Sequence, residues 1–194
     1  TTINNYDNEN LANFDSIFRH SNLVRDIDDT DTSILSNITN IRLKKATSMT
    51  INKKIGYINE FGNAFYHPNA QYNKALGGIL TSTGFTVTGD SVNIQYFDDD
   101  GDGNLRRYYL SGSTRIYSDT TAGTVDYTTG KITVNALMVT STVNTNTTID
   151  FTIIPDSYDV VATRGSLVDI SSADVTIKGE IDTIASGELS LIHI

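Results

Sequence analysis

The chain has 194 residues, and its 14 Lys and Arg against 23 Asp and Glu leave a net charge of −9. An acidic surface repels phosphate, so we expect neither nucleic-acid nor anionic-membrane binding. The absence of Cys excludes disulfide scaffolds, thiol catalysis and cysteine-ligated metal sites. No apolar run approaches the roughly 18 residues that a membrane-spanning helix needs, and at roughly 150 residues per domain the length predicts one domain, with or without an appendage.

The N-terminal part of the chain has the only helical pattern. Residues 1–10 are polar and rich in Asn, which predicts a loop or a frayed end. From Leu11 to Ile27 apolar residues recur mostly three and four positions apart, and this spacing predicts a helical segment. The residues His20, Ser21 and Asn22 offer a cap in its middle, which would divide the segment into two short helices.

The rest of the chain reads as short strands that recur every eight to twelve residues or so. Thr, Val and Ile dominate this part, as a half-buried pleated surface prefers, and a Gly130-containing turn predicts a hairpin between residues 124–127 and 131–134. The sequence therefore predicts a mainly β fold with a short N-terminal helical segment (α+β), its antiparallel sheets arranged like a sandwich. The predicted strands are residues 38–44, 49–51, 54–58, 64–66, 79–80, 85–88, 92–96, 105–110, 114–117, 124–127, 131–134, 148–154, 159–161, 167–170 and 175–177.

An acidic turn is the sharpest candidate for a metal site. Asp98, Asp100 and Asp102 occupy positions 1, 3 and 5 of an EF-hand-like calcium loop, and Gly103 occupies position 6. Position 12, which should be a bidentate Glu, is Tyr109, and the flanks predict strands where an EF-hand has helices. We therefore favour an Asp- and Gly-rich hairpin turn over an ordered calcium site, and we predict no metal or cofactor.

No arrangement of residues predicts catalysis. The histidines His20, His67 and His193 lack metal-binding spacing, and the chain has no nucleophile elbow of the Gly-x-Ser-x-Gly type. A glycoside hydrolase or lyase would need two facing carboxylates in a cleft, for which the sequence has no signature. We predict that the protein is not an enzyme.

One basic stretch stands out against the acidic background. It contains Arg42, Lys44, Lys45, Lys53 and Lys54. We interpret these residues as solvated strand faces or as salt-bridge partners in an assembly, since the overall charge disfavours nucleic acid.

Two parts of the sequence carry a family resemblance. The first part is 14–23 with 31–42 behind it. The second runs through 97–101, 105–110, 122–132 and 154–161. Together they resemble the C-terminal half of the inner-ring baseplate wedge subunit of T-even-like contractile-tail phages, including cyanophages, over about residues 13–186.

The resemblance implies a structural virion protein in the phage tail baseplate, assembled in the host bacterial cytoplasm. In that family two copies pair within each wedge, and the pairs link into a ring around the tail hub. The implied partners are a second copy and other wedge subunits, and the family has no catalytic residues to transfer. An alternative function is a carbohydrate- or receptor-binding β-module of a phage tail, supported by the acidic turn alone.

The resemblance also suggests how the chain is divided. We expect a helical segment and first strand in residues 1–46, belonging to an upstream lobe, and a β-rich C-terminal region in residues 47–188. Residues 189–194 match the translation of a transposase-derived sequencing adapter, so we expect a non-native tail there. On this hypothesis the chain is a metagenomic fragment that is truncated at both ends.

Overall fold

A computed structural model describes residues 1–13, 16–68, 78–162 and 167–181 of the chain. Within these ranges the protein is mainly β, with two short α-helices and antiparallel strand pairings throughout. The predicted fold class is therefore confirmed. The helices are α1 (Thr2–Asn10) and α2 (His20–Asp28); the strands are β1 (Ile17–Phe18), β2 (Leu43–Ser48), β3 (Lys54–Glu60), β4 (Thr81–Ser82), β5 (Phe85–Val87), β6 (Asp90–Asp99), β7 (Asn104–Ser111), β8 (Thr114–Asp126), β9 (Lys131–Thr142), β10 (Thr148–Ile153) and β11 (Val160–Val161), and a 3-10 helix spans Ser172–Asp174.

In the described residues, nine strands form one sheet in the order β2-β10-β4-β6-β5-β9-β8-β7, with β3 paired to β9. Because β7 also pairs with β6, strands β6, β5, β9, β8 and β7 form a closed circuit of hydrogen-bonded neighbours. Side chains bridge β2 and β3, since Asn59 Nδ2 donates to Thr47 Oγ1 at 2.8 Å. The sheet therefore rolls up into a barrel-like arrangement.

The rolled sheet encloses the main core. Phe97 stacks on Phe85 and on Phe151, with ring centroids 4.7 and 5.7 Å apart, and all three side chains are buried. Leu80 and Ile132 are fully buried in the same cluster. Burying such side chains contributes roughly 1.5–3 kcal/mol each, so this core is the main source of stability of the β region.

A second and smaller core joins the N-terminal helices to the end of the β region. Strand β1 pairs with β11, so that Ile17 lies opposite Val161 and Phe18 opposite Val160. We call α1, β1, α2 and β11 the N-terminal lobe. Its buried side chains are Tyr6, Leu11, Phe18, Leu23 and Val160.

The hairpin predicted around Gly130 is confirmed. Asp126 pairs with Lys131 at the end of the β8–β9 ladder, and the Asp126 carboxylate accepts hydrogen bonds from the backbone N–H groups of Thr128 and Thr129. Gly130 has a φ of 68°, a conformation that glycine adopts without strain.

Other local predictions were wrong. Residues 1–10 form α1 where the sequence predicted a loop, because packing of Tyr6 against Phe18 outweighs the weak helix propensity of Asn. Residues 17–18 form a strand inside the predicted helical segment. Residues 167–170 and 175–177 are not strands.

No helix in the described part of the chain is long and apolar enough to cross a membrane. His193 and the expected tail at residues 189–194 lie outside the described residues.

Candidate functional site

The phenol of Tyr6 connects α1 to Arg19, the residue that precedes α2. The Tyr6 hydroxyl donates to the Arg19 carbonyl at 3.0 Å and accepts from the Arg19 backbone N–H at 3.1 Å. The Tyr6 ring packs edge-on against Phe18, with ring centroids 5.8 Å apart. Because the hydroxyl both donates and accepts, Tyr6 is buried with its polar group satisfied.

Residues far along the chain return to complete this lobe. The Asp159 carboxylate accepts from the Arg19 guanidinium at 2.7 Å and from the His20 backbone N–H at 3.0 Å. The Arg19 hydrogen bond, followed by that of the His20 backbone, lowers the pKa of Asp159. Asp159 therefore places a negative charge at the start of α2, where the helix dipole favours one. Likewise the Ile170 backbone N–H donates to Asp7 at 2.8 Å.

The chain between α2 and β2 lies against α2 through polar contacts on one side. Asn37 Nδ2 donates to the Val24 carbonyl at 3.1 Å and to the Asp28 carboxylate at 2.7 Å. His20 Nε2 donates to the Thr39 carbonyl at 3.0 Å. These three bonds hold residues 34–42 in place and leave the other side of the segment facing solvent.

Large apolar side chains are exposed on and beside the N-terminal lobe. Ile38 is 91% exposed and Leu35 is 66% exposed. The facing pair Ile17 and Val161 is 40% and 50% exposed. Ile17 and Val161 therefore form a small exposed apolar patch, and such patches are found on surfaces that contact other proteins.

The outer face of β6, β7 and β8 contains a buried ionic cluster centred on Asp98. The Asp98 carboxylate accepts from Arg106 Nε at 2.9 Å, from Arg115 at 2.8 Å and from the Tyr117 hydroxyl at 2.9 Å. The Arg106 guanidinium also lies over the Tyr117 ring, 4.3 Å from its centroid. Burial raises the pKa of Asp98, against the opposing effects of Arg106, Tyr117 and Arg115. The Asp98 carboxylate is thus fully hydrogen-bonded, and the cluster connects β6 to β7 and β8.

The next residue of β6, Asp99, lies on the opposite face of the strand from Asp98. It connects β6 to the backbone at Leu80 and to Tyr127. Its carboxylate accepts from the Leu80 backbone N–H at 2.9 Å and from the Tyr127 hydroxyl at 2.6 Å. Burial, and then the hydrogen bond to Asp99, raise the pKa of the Tyr127 phenol far above its usual value. A Cβ on Gly78 would lie 1.8 Å from this carboxylate, so glycine is needed there.

The structure separates the three residues of the candidate calcium loop. Asp98 lies in the buried ionic cluster, whereas Asp100 accepts from the backbone N–H groups of Asp102 and Asn104 at 2.8 and 3.0 Å. Gly103 has a φ of 98°, as a tight turn requires. Within the described residues, no group of three or more His, Cys, Asp or Glu is placed to hold a metal ion.

An open hollow of about 530 Å³ lies beside this turn. At its edge the His67 ring packs against the Tyr127 ring, with centroids 4.6 Å apart and an angle of 35° between the ring planes. His20 lies elsewhere, against Tyr158 and the Thr39 carbonyl. The hollow is lined by Ala64, Phe65, His67, Asp102, Gly103, Val125, Asp126, Tyr127, Thr128 and Asp156.

The family comparison matches the N-terminal lobe. Residues 1–46 match the family model of the baseplate structural protein gp6, C-terminal domain III. No curated protein matches the chain. Over this short stretch the match supports a structural role in a phage tail baseplate and contact with other baseplate proteins.

The matched stretch contains α1, β1, α2, the segment 34–42 and most of β2. The sequence indicated its helical character but missed two of the contacts that complete it, those of Tyr6 and Asp159. Tyr6 lies five residues before Leu11, in a stretch too polar to show a period, and Asp159 is 140 positions from Arg19. No local pattern connects residues so far apart.

Proposed function

We propose that the protein is a structural subunit of a phage tail baseplate wedge, and that it mediates subunit pairing and ring assembly around the tail hub. The family match of residues 1–46 supports this proposal, because these residues build the N-terminal lobe and its exposed apolar side chains. On this proposal the protein is not an enzyme and is located in the virion tail baseplate.

The proposed domain division follows the same evidence. We propose that residues 1–46 act as the assembly segment and that the β-rich region after them is its scaffold. Strand β2 links the two, since it begins at Leu43 inside the matched stretch and pairs with β10 along its full length. A force that acts on the N-terminal lobe would therefore be transmitted through β2 to the nine-stranded sheet.

Exposed apolar contacts would supply much of the binding energy in such an assembly. Ile17 and Val161 lie side by side on β1 and β11, and both are about half exposed. Covering the 40% of Ile17 that is exposed contributes roughly 0.6–1.2 kcal/mol, which corresponds to about threefold to eightfold in affinity.

Co-expression with the neighbouring wedge proteins of the same phage tests the proposal. We expect a defined complex on size-exclusion chromatography, and we expect Ile17→Asp to weaken it. Val92→Asp is the matched control, because Val92 is 88% exposed on β6 of the rolled sheet. A chain that forms no complex with any wedge protein, although it is folded, would contradict the proposed function.

A further inference from the structure

We propose that the free edge of β8, residues 114–119, takes up an extended segment of a different baseplate protein as an added strand, with a carboxylate of that segment bound to Arg107. This inference rests on the proposed function and names a surface outside the N-terminal lobe through which the subunit contacts a neighbour. It is carried by the pairing of β8, the surroundings of Arg107 and the charges of the β7–β8 hairpin.

Strand β8 has a sheet partner on only one side over its first half. Residues 114–119 pair with β7, and β9 joins β8 only from Gly123 onward. Asn135 Nδ2 of β9 donates to the Thr121 carbonyl at 2.9 Å, near the point where the two strands separate. Within the described residues, no strand pairs with the other edge of residues 114–119. An unpaired strand edge of this kind is a template for an added strand.

The hairpin turn determines which backbone groups lie at this edge. A two-residue loop connects β7 to β8. In such a hairpin the residues beside the loop exchange hydrogen bonds, and bonded pairs then alternate with non-bonded pairs. Thr114 and Ile116 therefore bond to β7, whereas the N–H and C=O groups of Arg115 and Tyr117 point to the free edge. None of the described residues bonds to these groups, so an added strand would supply their partners.

Arg107 lies on β7, one strand in from this edge, and its side chain lacks an acceptor. It is opposite Asp119 of β8 in the strand register. Its Nε is buried and has no hydrogen-bond partner among the described residues, in which its guanidinium also forms no ion pair. Asp119 instead accepts from the Thr121 backbone N–H at 2.9 Å. A buried charged donor without an acceptor is unfavourable, so this side chain is suited to an acceptor that a partner brings.

A small cavity lies beside this guanidinium at the end of the free edge. Its volume is about 40 Å³, more than the roughly 10–15 Å³ that one water molecule needs. An added strand that follows residues 114–119 would reach the cavity, because Asp119 ends that edge and also lines the cavity. A carboxylate placed there would form charge-assisted hydrogen bonds to Arg107. The cavity is lined by Arg107, Asp119, Ala122, Asn135, Ala136 and Leu137.

The charges of the hairpin favour a carboxylate from a different protein. Residues 103–118 contain three Arg and no Asp or Glu, although the chain has a net charge of −9. Arg106 and Arg115 both bond to Asp98, which leaves Arg107 as the arginine of this hairpin without an acid. If the same edge of a second copy paired with it antiparallel, the residues nearest the cavity would come from the Thr114 end, which carries no acid. The acidic surface elsewhere disfavours a segment rich in acid, so we expect one carboxylate in a mainly uncharged segment.

The edge also offers an apolar contact on the face that Arg107 occupies. Ile116 pairs with Tyr109, which lies two residues from Arg107 on β7 and therefore on the same face. Ile116 is 38% exposed. We expect the added segment to place an apolar side chain beside Ile116 and its carboxylate at the cavity.

Formate, the smallest carboxylate, tests the Arg107 site on the chain alone. In an isotope-labelled sample, the Nε–H resonance of Arg107 should shift and saturate with increasing sodium formate, and Arg107→Lys identifies this resonance by removing it. The Nε–H of Arg106, which already donates to Asp98, is the internal reference and should stay in place. Sodium chloride at equal ionic strength is the salt control. No shift at Arg107, or equal shifts of both resonances, would overturn the inference.

Substitutions on the hairpin test strand addition in the complex with co-expressed wedge proteins. Ile116→Lys places a charge on the edge, which opposes strand pairing, and Arg107→Met removes the guanidinium. We expect each to weaken the complex by at least about tenfold. Leu110→Lys is the matched control and should bind as the unmodified chain does, because Leu110 is 49% exposed on the other face of the neighbouring strand. The melting temperature of each variant reports its folding, and the formate test does not depend on these variants.

Amide hydrogen exchange locates the added strand. The backbone amides of Arg115 and Tyr117 should exchange at least about tenfold more slowly in the complex than in the free chain, because hydrogen-bonded amides are protected. The amide of Ile116, which already bonds to β7, should change less. Unchanged exchange of Arg115 and Tyr117 in a complex that forms would overturn the inference.

The outcomes separate this inference from the proposed function. If the complex forms but Ile116→Lys and Leu110→Lys bind alike, the inference is overturned and the proposed function stands. If no wedge protein binds although formate shifts Arg107 selectively, the proposed function is contradicted and the carboxylate site is supported. Self-association of the free chain that Ile116→Lys abolishes would assign the edge to a second copy and overturn the inference.

Discussion

The carboxylate of Asp159 accepts a hydrogen bond from the Arg19 guanidinium at 2.7 Å, across 140 positions of the chain. The same carboxylate caps the start of α2 through the His20 backbone N–H. This contact connects the family-matched N-terminal residues to the end of the β region, so the N-terminal lobe depends on residues that lie on both sides of the large sheet in the sequence.

The first prediction concerns how the stabilisation by the Asp159 hydrogen bonds to Arg19 and His20 depends on pH. The pKa of Asp159 lies below its ordinary value of 3.8, so the unfolded state binds more protons than the folded state. The contribution of Asp159 is therefore present above pH 3.8 and is lost as the pH falls through the lowered pKa. We expect Asp159→Asn to reduce stability near neutral pH and the difference from the unmodified chain to vanish in acid, as measured by urea unfolding.

Asp156→Asn is the matched control for that experiment. Asp156 is exposed and lies three residues before Asp159, and its substitution likewise replaces a carboxylate by an amide. Amide hydrogen exchange should show reduced protection in α2 for Asp159→Asn and not for Asp156→Asn. A stability difference that persists unchanged in acid would contradict the assignment to Asp159.

The second prediction concerns the buried ionic cluster. Asp98→Ala would leave Arg106 buried without its carboxylate, and breaking a buried pair in this way costs about 3–5 kcal/mol. Glu180→Ala in the exposed pair with Lys178 should stay within about 0.5 kcal/mol of the unmodified chain. Denaturant unfolding measures both, and similar values for the two variants would show that Asp98 does not organise the β6–β8 face.

The third prediction concerns the close approach of the paired strands β8 and β9 at Gly123. A Cβ on Gly123 would lie 1.9 Å from the Thr133 carbonyl oxygen, and backbone cannot move aside as a flexible side chain can. We expect Gly123→Ala to destabilise the fold by about 1–3 kcal/mol. Gly179→Ala is the control, since nothing lies within 4 Å of a Cβ placed there. Equal melting temperatures for the two variants would contradict the close approach.

The fourth prediction concerns calcium. Asp98 accepts from two guanidinium groups and a phenol, and Asp100 accepts from the turn backbone, so these carboxylates are already engaged. We expect the melting temperature to be the same in calcium and in a chelator. A calcium-dependent rise that Asp100→Asn removes would favour the receptor-binding alternative.

The sequence predicted much of the β region because the evidence for it is local. Alternation in residues 92–96 and the Gly130 turn specify a strand and a hairpin from nearest neighbours alone. The sequence also indicated that Asp98, Asp100 and Asp102 belong to a turn more readily than to a metal site. It did not indicate α1, because ten polar residues become helical only through burial of Tyr6 and Leu11.

The sequence by itself determined the mainly β fold, the acidic charge with its one basic stretch, and a chain without cysteine chemistry. Only the tertiary structure decided that Asp98 is the centre of a buried ion-pair cluster, that Asp159 completes α2, and that Leu35 and Ile38 are exposed. These facts depend on contacts between residues far apart in the chain, and burial is a property of the packed whole. Residues 38–44 show the difference: the sequence predicted a strand there, and in the structure strand β2 begins only at Leu43.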